Sequence, residues 1–176
     1  MGLDIIAYEH LELKAQDIPE SEVYALTESL CDAGTQTVTL WHSMDFIERA
    51  APLLAPSAKG LATVYAASGT EYNFRAGSYG GHGAFREWLC ELASIPAPRV
   101  QWAESEKHAG LPFFELVNFS DCEGVIGATA AAELAKDFTL YQAQADAAND
   151  EWFTPLFAQW RKAFELAAKG GGVRFH

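Results

Sequence analysis

The sequence predicts a single α+β domain, residues 1–176, in which a small, mainly antiparallel sheet carries amphipathic helices concentrated in the C-terminal half. Three observations carry this expectation. Short alternating or β-branched segments recur through the first 76 residues, apolar stripes at helical spacing fill most of the remainder, and no repeat, linker or low-complexity tract separates the two. With 176 residues, 49% of them hydrophobic, the chain can hide roughly two-thirds of the surface of its unfolded form, so the core needs no metal or disulfide.

From Leu3 to Lys14 the apolar residues Leu3, Ile5, Ala7, Leu11 and Leu13 alternate loosely, a strand with one phase break near Glu9 and His10. Asp17, Pro19 and Glu20 then form a D-x-x-E capping signal, and Val23, Leu26 and Leu30 mark a helix over about 18–33 that stops at Gly34. Thr35 to His42 reads as a strand, and Asp45 to Leu54 as a short helix stopped by Pro52 and Pro56. Segments 60–67 and 71–76 flank Ser68-Gly69-Thr70, the pattern of a β-hairpin.

Residues 77–83 form a glycine-rich loop, followed by a helix with Phe85, Trp88, Leu89 and Leu92 on one stripe, ended by Pro96 and Pro98. Residues 99–112 read as a mobile connection and Phe113 to Phe119 as a strand. After a turn at 120–124, Thr129 caps a helix whose stripe runs through Ala131, Leu134, Phe138, Tyr141 and Ala145. Thr154 and Pro155 open a last helix bearing Leu156, Phe157, Trp160 and Phe164, and Val173 to His176 return as an edge strand.

Twenty-four acids against 12 bases give a formal charge of -12. That balance argues against nucleic acid and against an anionic membrane surface, because both are held by clustered Lys and Arg. No apolar run approaches the roughly 18 residues of a membrane span. An acid at position 4 where a secretory signal carries bases, and three cysteines without a C-x-x-C pair, point to a reducing cytoplasm. The charge is uneven: residues 9–32 hold Glu9, Glu12, Asp17, Glu20, Glu22, Glu28 and Asp32 against Lys14 alone, a net of -6. This marks an acidic first helix that either docks a basic partner or serves solubility.

Chemistry concentrates at two strand-loop-helix junctions. At the first, backbone N–H groups at a helix start, with Arg75 and Arg86 bracketing the loop and Ser78, Tyr79 and His82 adding hydrogen bonds, suit a small anionic ligand. The spacing matches no nucleotide-binding fingerprint, and a tight turn built on glycine is the plain structural alternative. Ser78, Asp121 and His176 follow the order of a hydrolase triad, but the hairpin expected before Ser78 is the wrong context. At the second junction Ser120, Asp121 and Glu123 supply polar groups around Cys122. They read either as an Asx-type turn or as a metal-assisted or thiol-dependent hydrolase site, with Cys122 activated by the helix start or by His82. No repeated ligand set accompanies them, so no metal, no cofactor and no catalytic residue is assigned.

Gly2-Leu3-Asp4-Ile5, Phe74-Arg75-Ala76-Gly77-Ser78-Tyr79 with Phe85-Arg86, and Asn118-Phe119-Ser120-Asp121-Cys122-Glu123-Gly124-Val125-Ile126-Gly127 together resemble uncharacterised proteins encoded by phages and prophages. The resemblance extends to the Trp160-Arg161-Lys162-Ala163-Phe164 helix. It implies a bacterial cytoplasm and a phage-related accessory role, puts Tyr in the place of His82, and transfers no catalytic residue. The expectation is therefore a non-enzymatic protein that binds a host or phage macromolecule, or a small anion, through Arg75, Ser78, Tyr79, His82, Arg86, Ser120, Asp121 and Glu123. The hydrolase at Asp121-Cys122-Glu123 is the alternative.

Overall fold

The computed structural model describes residues 2–41, 61–119 and 124–176. In chain order they form β1 (Gly2–Ile18), α1 (Glu20–Asp32), β2 (Gln36–Trp41), β3 (Ala62–Ser78), α2 (Tyr79–Leu92), α3 (Pro98–Ala103), α4 (Ser105–His108), α5 (Phe114–Val117), β4 (Gly124–Gly127), α6 (Ala128–Leu140), α7 (Gln142–Ala148), α8 (Phe153–Ala167) and β5 (Gly172–Phe175). The five strands make one sheet in the order β2-β3-β1-β5-β4, and every neighbouring pair is antiparallel. This is the expected α+β class, with helices packed on the sheet. No helix among the described residues is long and apolar enough to cross a membrane. The helix expected over 45–54 lies outside the described residues.

β1 and β3 pair along almost their whole length, from Gly2 opposite Ser78 to Ile18 opposite Ala62. The expected hairpin around Ser68-Gly69-Thr70 is therefore absent, and 62–78 is one strand. What looked like a turn is a bulge: Tyr8 faces Glu71 while His10 faces Ser68, and Gly69 takes φ +81. The Glu9 carboxylate accepts the Thr70 N–H at 2.8 Å and so closes the bulge. The phase break at Glu9-His10 and the apparent turn at 68–70 are one feature seen from its two strands.

Leu3, Ile5 and Ala7 of β1 point to the main core with Phe85, Leu89, Leu134, Phe138, Phe157, Trp160 and Phe164 of α2, α6 and α8. By alternation Ile6 and Tyr8 point to the other face, where Tyr8, Val38 and Tyr65 cluster. A third cluster joins Val23 of α1 to Ala62 and Val64. Trp160 is the hub, with Phe74, Phe85, Phe164 and Phe175 within 6.4 Å between ring centroids.

Elsewhere the structure departs from local expectation in ways that long-range contacts explain. The glycine run is helical: α2 starts at Tyr79, and Ser78 caps it by accepting the Gly81 N–H at 3.0 Å. The connection over 99–112 contains α3 and α4. Phe113 to Phe119 forms the single turn α5 instead of a strand, because Phe113 adopts φ 59 and donates its N–H to Asp137 Oδ2 at 2.7 Å. The stripe over 131–145 is divided at Tyr141 between α6 and α7, and α6 begins beside Gly127 without a cap from Thr129. α8 is capped from Asp150, whose carboxylate accepts the N–H groups of Trp152 and Phe153 at 2.8 and 2.9 Å while Thr154 Oγ1 accepts the Asp150 N–H. β5 is an inner strand between β1 and β4 instead of an edge.

Two glycines separate these constraints experimentally. A Cβ on Gly171 would collide with the Tyr8 carbonyl on β1, whereas a Cβ on Gly83 meets nothing within 4 Å in the interior of α2. Gly171→Ala should therefore break the β1–β5 junction and cost more than about 3 kcal/mol, as backbone collisions in a packed site do. Gly83→Ala should raise stability by about 0.5–1 kcal/mol through helix propensity. Chemical denaturation of the two variants checks both signs.

Candidate functional site

The sheet register brings described residues of all three blocks of the resemblance to one end of the sheet. Gly2 lies opposite Ser78, Asp4 opposite Arg75, Ile5 opposite Phe175, and Phe175 opposite Gly124. Asp4 and His176 exchange backbone hydrogen bonds at 2.8 and 3.1 Å, which ties the final residue into the same row. The end of β3, the start of β1, the end of β5 and the start of β4 thus stand side by side. Arg75 is the cation of this row; its side chain is 63% exposed and lies 3.7 Å from the Asp4 carboxylate. It also covers Gly2, where any Cβ would strike the guanidinium.

The α2 residues divide differently from expectation. Ser78 is exposed with its hydroxyl engaged in the cap, and Tyr79 is half-buried against the main core. His82 and Arg86 lie inside the protein. The His82 ring sits 5.5 Å from that of Trp160 and 6.2 Å from that of Phe175, and neither of its nitrogens finds a hydrogen-bond partner among the described residues. Burial, helped by the charge of Arg86, lowers its pKa to about 3. His82 is a neutral core residue, and it is not placed to contact a ligand at the surface.

Arg86 organises an interior polar network. Its Nη1 donates to the Phe119 carbonyl at 3.0 Å, and its guanidinium lies 5.0 Å over the ring of Trp102. Trp102 Nε1 donates to the Val117 carbonyl at 2.9 Å, Asn118 Nδ2 to Gln101 Oε1 at 3.3 Å, and Gln101 Nε2 to the Pro96 carbonyl at 2.7 Å. These bonds clamp α5 beneath α2 and α3. The sequence pointed to no role for Gln101 or Asn118, because the first falls in an expected connection and the second in an expected strand. Cys90 belongs to this region, and burial pushes its thiol up to about 11, which makes it unreactive at neutral pH.

Arg75 and Arg86 consequently do not bracket one ligand: the first is on the surface and the second is a buried clamp. Arg86 does connect the two junctions, since Phe119 immediately precedes Ser120. Gly124, at φ +119, closes the far side, where a Cβ would lie 2.9 Å from the Phe119 ring. Ser120, Asp121, Cys122 and Glu123 are outside the described residues. The serine triad gains nothing from the geometry, because β1 stands between Ser78 on β3 and His176 beyond β5, two strand spacings of about 4.8 Å. Among the described residues no three metal-ligating side chains come together.

His82 gives a signed pH prediction. Its ordinary value of 6.5 applies when unfolded and about 3 when folded, so the unfolded chain takes the proton first. Stability present above about pH 6.5 is then lost on acidification, by about 1.4 kcal/mol per pH unit down to the folded value. Glu115 and Asp137, raised chiefly by burial, act with the opposite sign. His82→Leu isolates the histidine: from pH 7 to pH 5 the variant should lose about 2 kcal/mol less than the parent, and equal losses in urea melts would refute the assignment. No family model, no curated protein and no solved structure matches this chain, so its residues alone carry the functional reading.

Proposed function

We propose that the chain is a non-enzymatic binding protein, of the accessory kind that its resemblance to phage and prophage proteins implies, and that it recognises a small anionic group at the β3-β1-β5-β4 end of the sheet. The supporting observation is the row in which Gly2–Asp4, Arg75–Ser78, His176 and Gly124 stand together. Arg75 supplies the recognition chemistry. Its guanidinium presents a planar fork of donors, and at 3.7 Å its contact with Asp4 is an exposed ion pair worth at most about 1 kcal/mol. A phosphate or carboxylate bringing two oxygens to that fork makes the stronger, bidentate arrangement.

The hydrolase alternative rests on Asp121, Cys122 and Glu123. The described neighbourhood does not favour it, since His82 is withdrawn into the core and Arg86 donates to the Phe119 carbonyl. A melting temperature raised by a divalent ion, and insensitive to that ion in Asp121→Ala and Glu123→Ala, would favour the enzyme.

Titration with inorganic phosphate at constant ionic strength tests the binding reading, followed by the Arg75 Nε–H resonance. The expected result is a saturable shift that Arg75→Ala abolishes while its own melting temperature changes by less than about 2 °C, the site being exposed. Asp4→Asn should tighten binding severalfold by removing the competing carboxylate. A response that never saturates, or is unchanged in Arg75→Ala, would overturn the proposal.

A further inference from the structure

The far end of the β1–β3 ribbon carries a second surface of opposite character. β2 is the sheet edge, and no described strand lies beyond it. It pairs with β3 without a register break from Gln36 opposite Ala67 to Trp41 opposite Ala62. The other edge, β4, is short and begins and ends on glycine. The six residues of β2, Gln-Thr-Val-Thr-Leu-Trp, carry no charge and no proline, and their pairing with β3 has no bulge, three devices by which an edge is kept from pairing. Its β-branched alternation and its exposed Trp41 suit a further strand.

Beside this edge lies α1, seated on Ala62 and Val64 through Val23, Leu26 and Leu30. The helix contains no base, and Glu20, Glu22, Glu28 and Asp32 are all exposed. Exposed Tyr24 lies on α1 itself, and exposed Leu13 on β1 stands across β3 from the edge. An uncharged edge with an acidic margin and exposed apolar side chains is complementary to one kind of occupant.

We infer that the outer edge of β2 accepts an extended segment of another protein in which Lys or Arg alternates with apolar residues, as a sixth antiparallel strand. Backbone hydrogen bonds would hold the segment, and the α1 carboxylates would select its charge. A second copy of this chain is the poorer occupant, because edge-to-edge pairing brings two acidic α1 helices together.

The test uses the full chain and a nonapeptide alternating Lys and Val. Saturable one-to-one binding is expected by fluorescence anisotropy, with slowed hydrogen exchange at the amides of 36–41. N-methylation of the peptide at alternate residues should weaken binding at least tenfold in one phase and little in the other, because only one phase donates to the edge. Glu20→Gln/Glu28→Gln/Asp32→Asn should weaken it at least fivefold. Absence of binding, equal affinity of the two methylated phases, or an unaffected triple variant would overturn the inference. So would a dimer in sedimentation that the peptide competes away, which would make a second copy the occupant.

Discussion

The antiparallel pairing of β1 with β3 is the constraint on which the rest of the molecule depends. Each strand has 17 residues, about three times an ordinary strand, and a flat pair of that length would have no reason to fold back on its helices. The bulge at Glu9 and Gly69 resolves this by adding twist at mid-length. Glu9 does more than accept the Thr70 N–H: its other oxygen pairs with Lys169 at 2.9 Å, just beyond α8. Those donors pull its pKa down to about 2. The Leu11 N–H donates to the Gly170 carbonyl at 3.1 Å in the same region. This bulge, one of four register shifts between β1 and β3, is thus the place where the last helix is tied down and β5 begins.

Legibility followed the range of the interactions involved. The α8 stripe of Phe157, Trp160 and Phe164 was readable because burial on one face repeats within the helix itself. β1 and β2 were readable for the same local reason. The continuous β3 was not, since Ser68-Gly69-Thr70 looks like a turn until Glu9 is placed opposite it. The helical turn at Phe113 was hidden because Asp137, 24 residues later, holds its N–H. β5 looked like an edge because nothing in four residues reveals that β4 pairs beyond it.

The candidate site shows the same division at the level of single side chains. Arg75 and Ser78 were readable as surface groups at the end of a strand. His82 and Arg86 were misplaced by one assumption, that the helix begins near Phe85. A signal was present: positions 82, 85, 86 and 89 fall at helical spacing, and all four are buried. Glycine at 80, 81 and 83 masked it, because low helix propensity argues for a loop, while the Ser78 cap and the core behind His82 outweigh that deficit. A polar residue inside an apolar stripe is ambiguous until burial is known, and here both histidine nitrogens lie in the core without partners among the described residues.

The ribbon also determines how the charge of -12 is used. From Asp4, beside Arg75, to Ala15, opposite Val64 near α1, β1 runs for eleven residues, roughly 35 Å at a strand rise of about 3.3 Å. Physiological salt screens exposed charges over about 8 Å. The acidic margin of α1 therefore exerts little field at Arg75, whose surroundings are set by its local balance with Asp4 instead of by the net charge. The same separation frees α1 from neutralisation by that arginine. A long two-stranded ribbon lets one strongly acidic chain present an arginine at one end and an acidic helix beside an uncharged edge at the other, each acting at its own range.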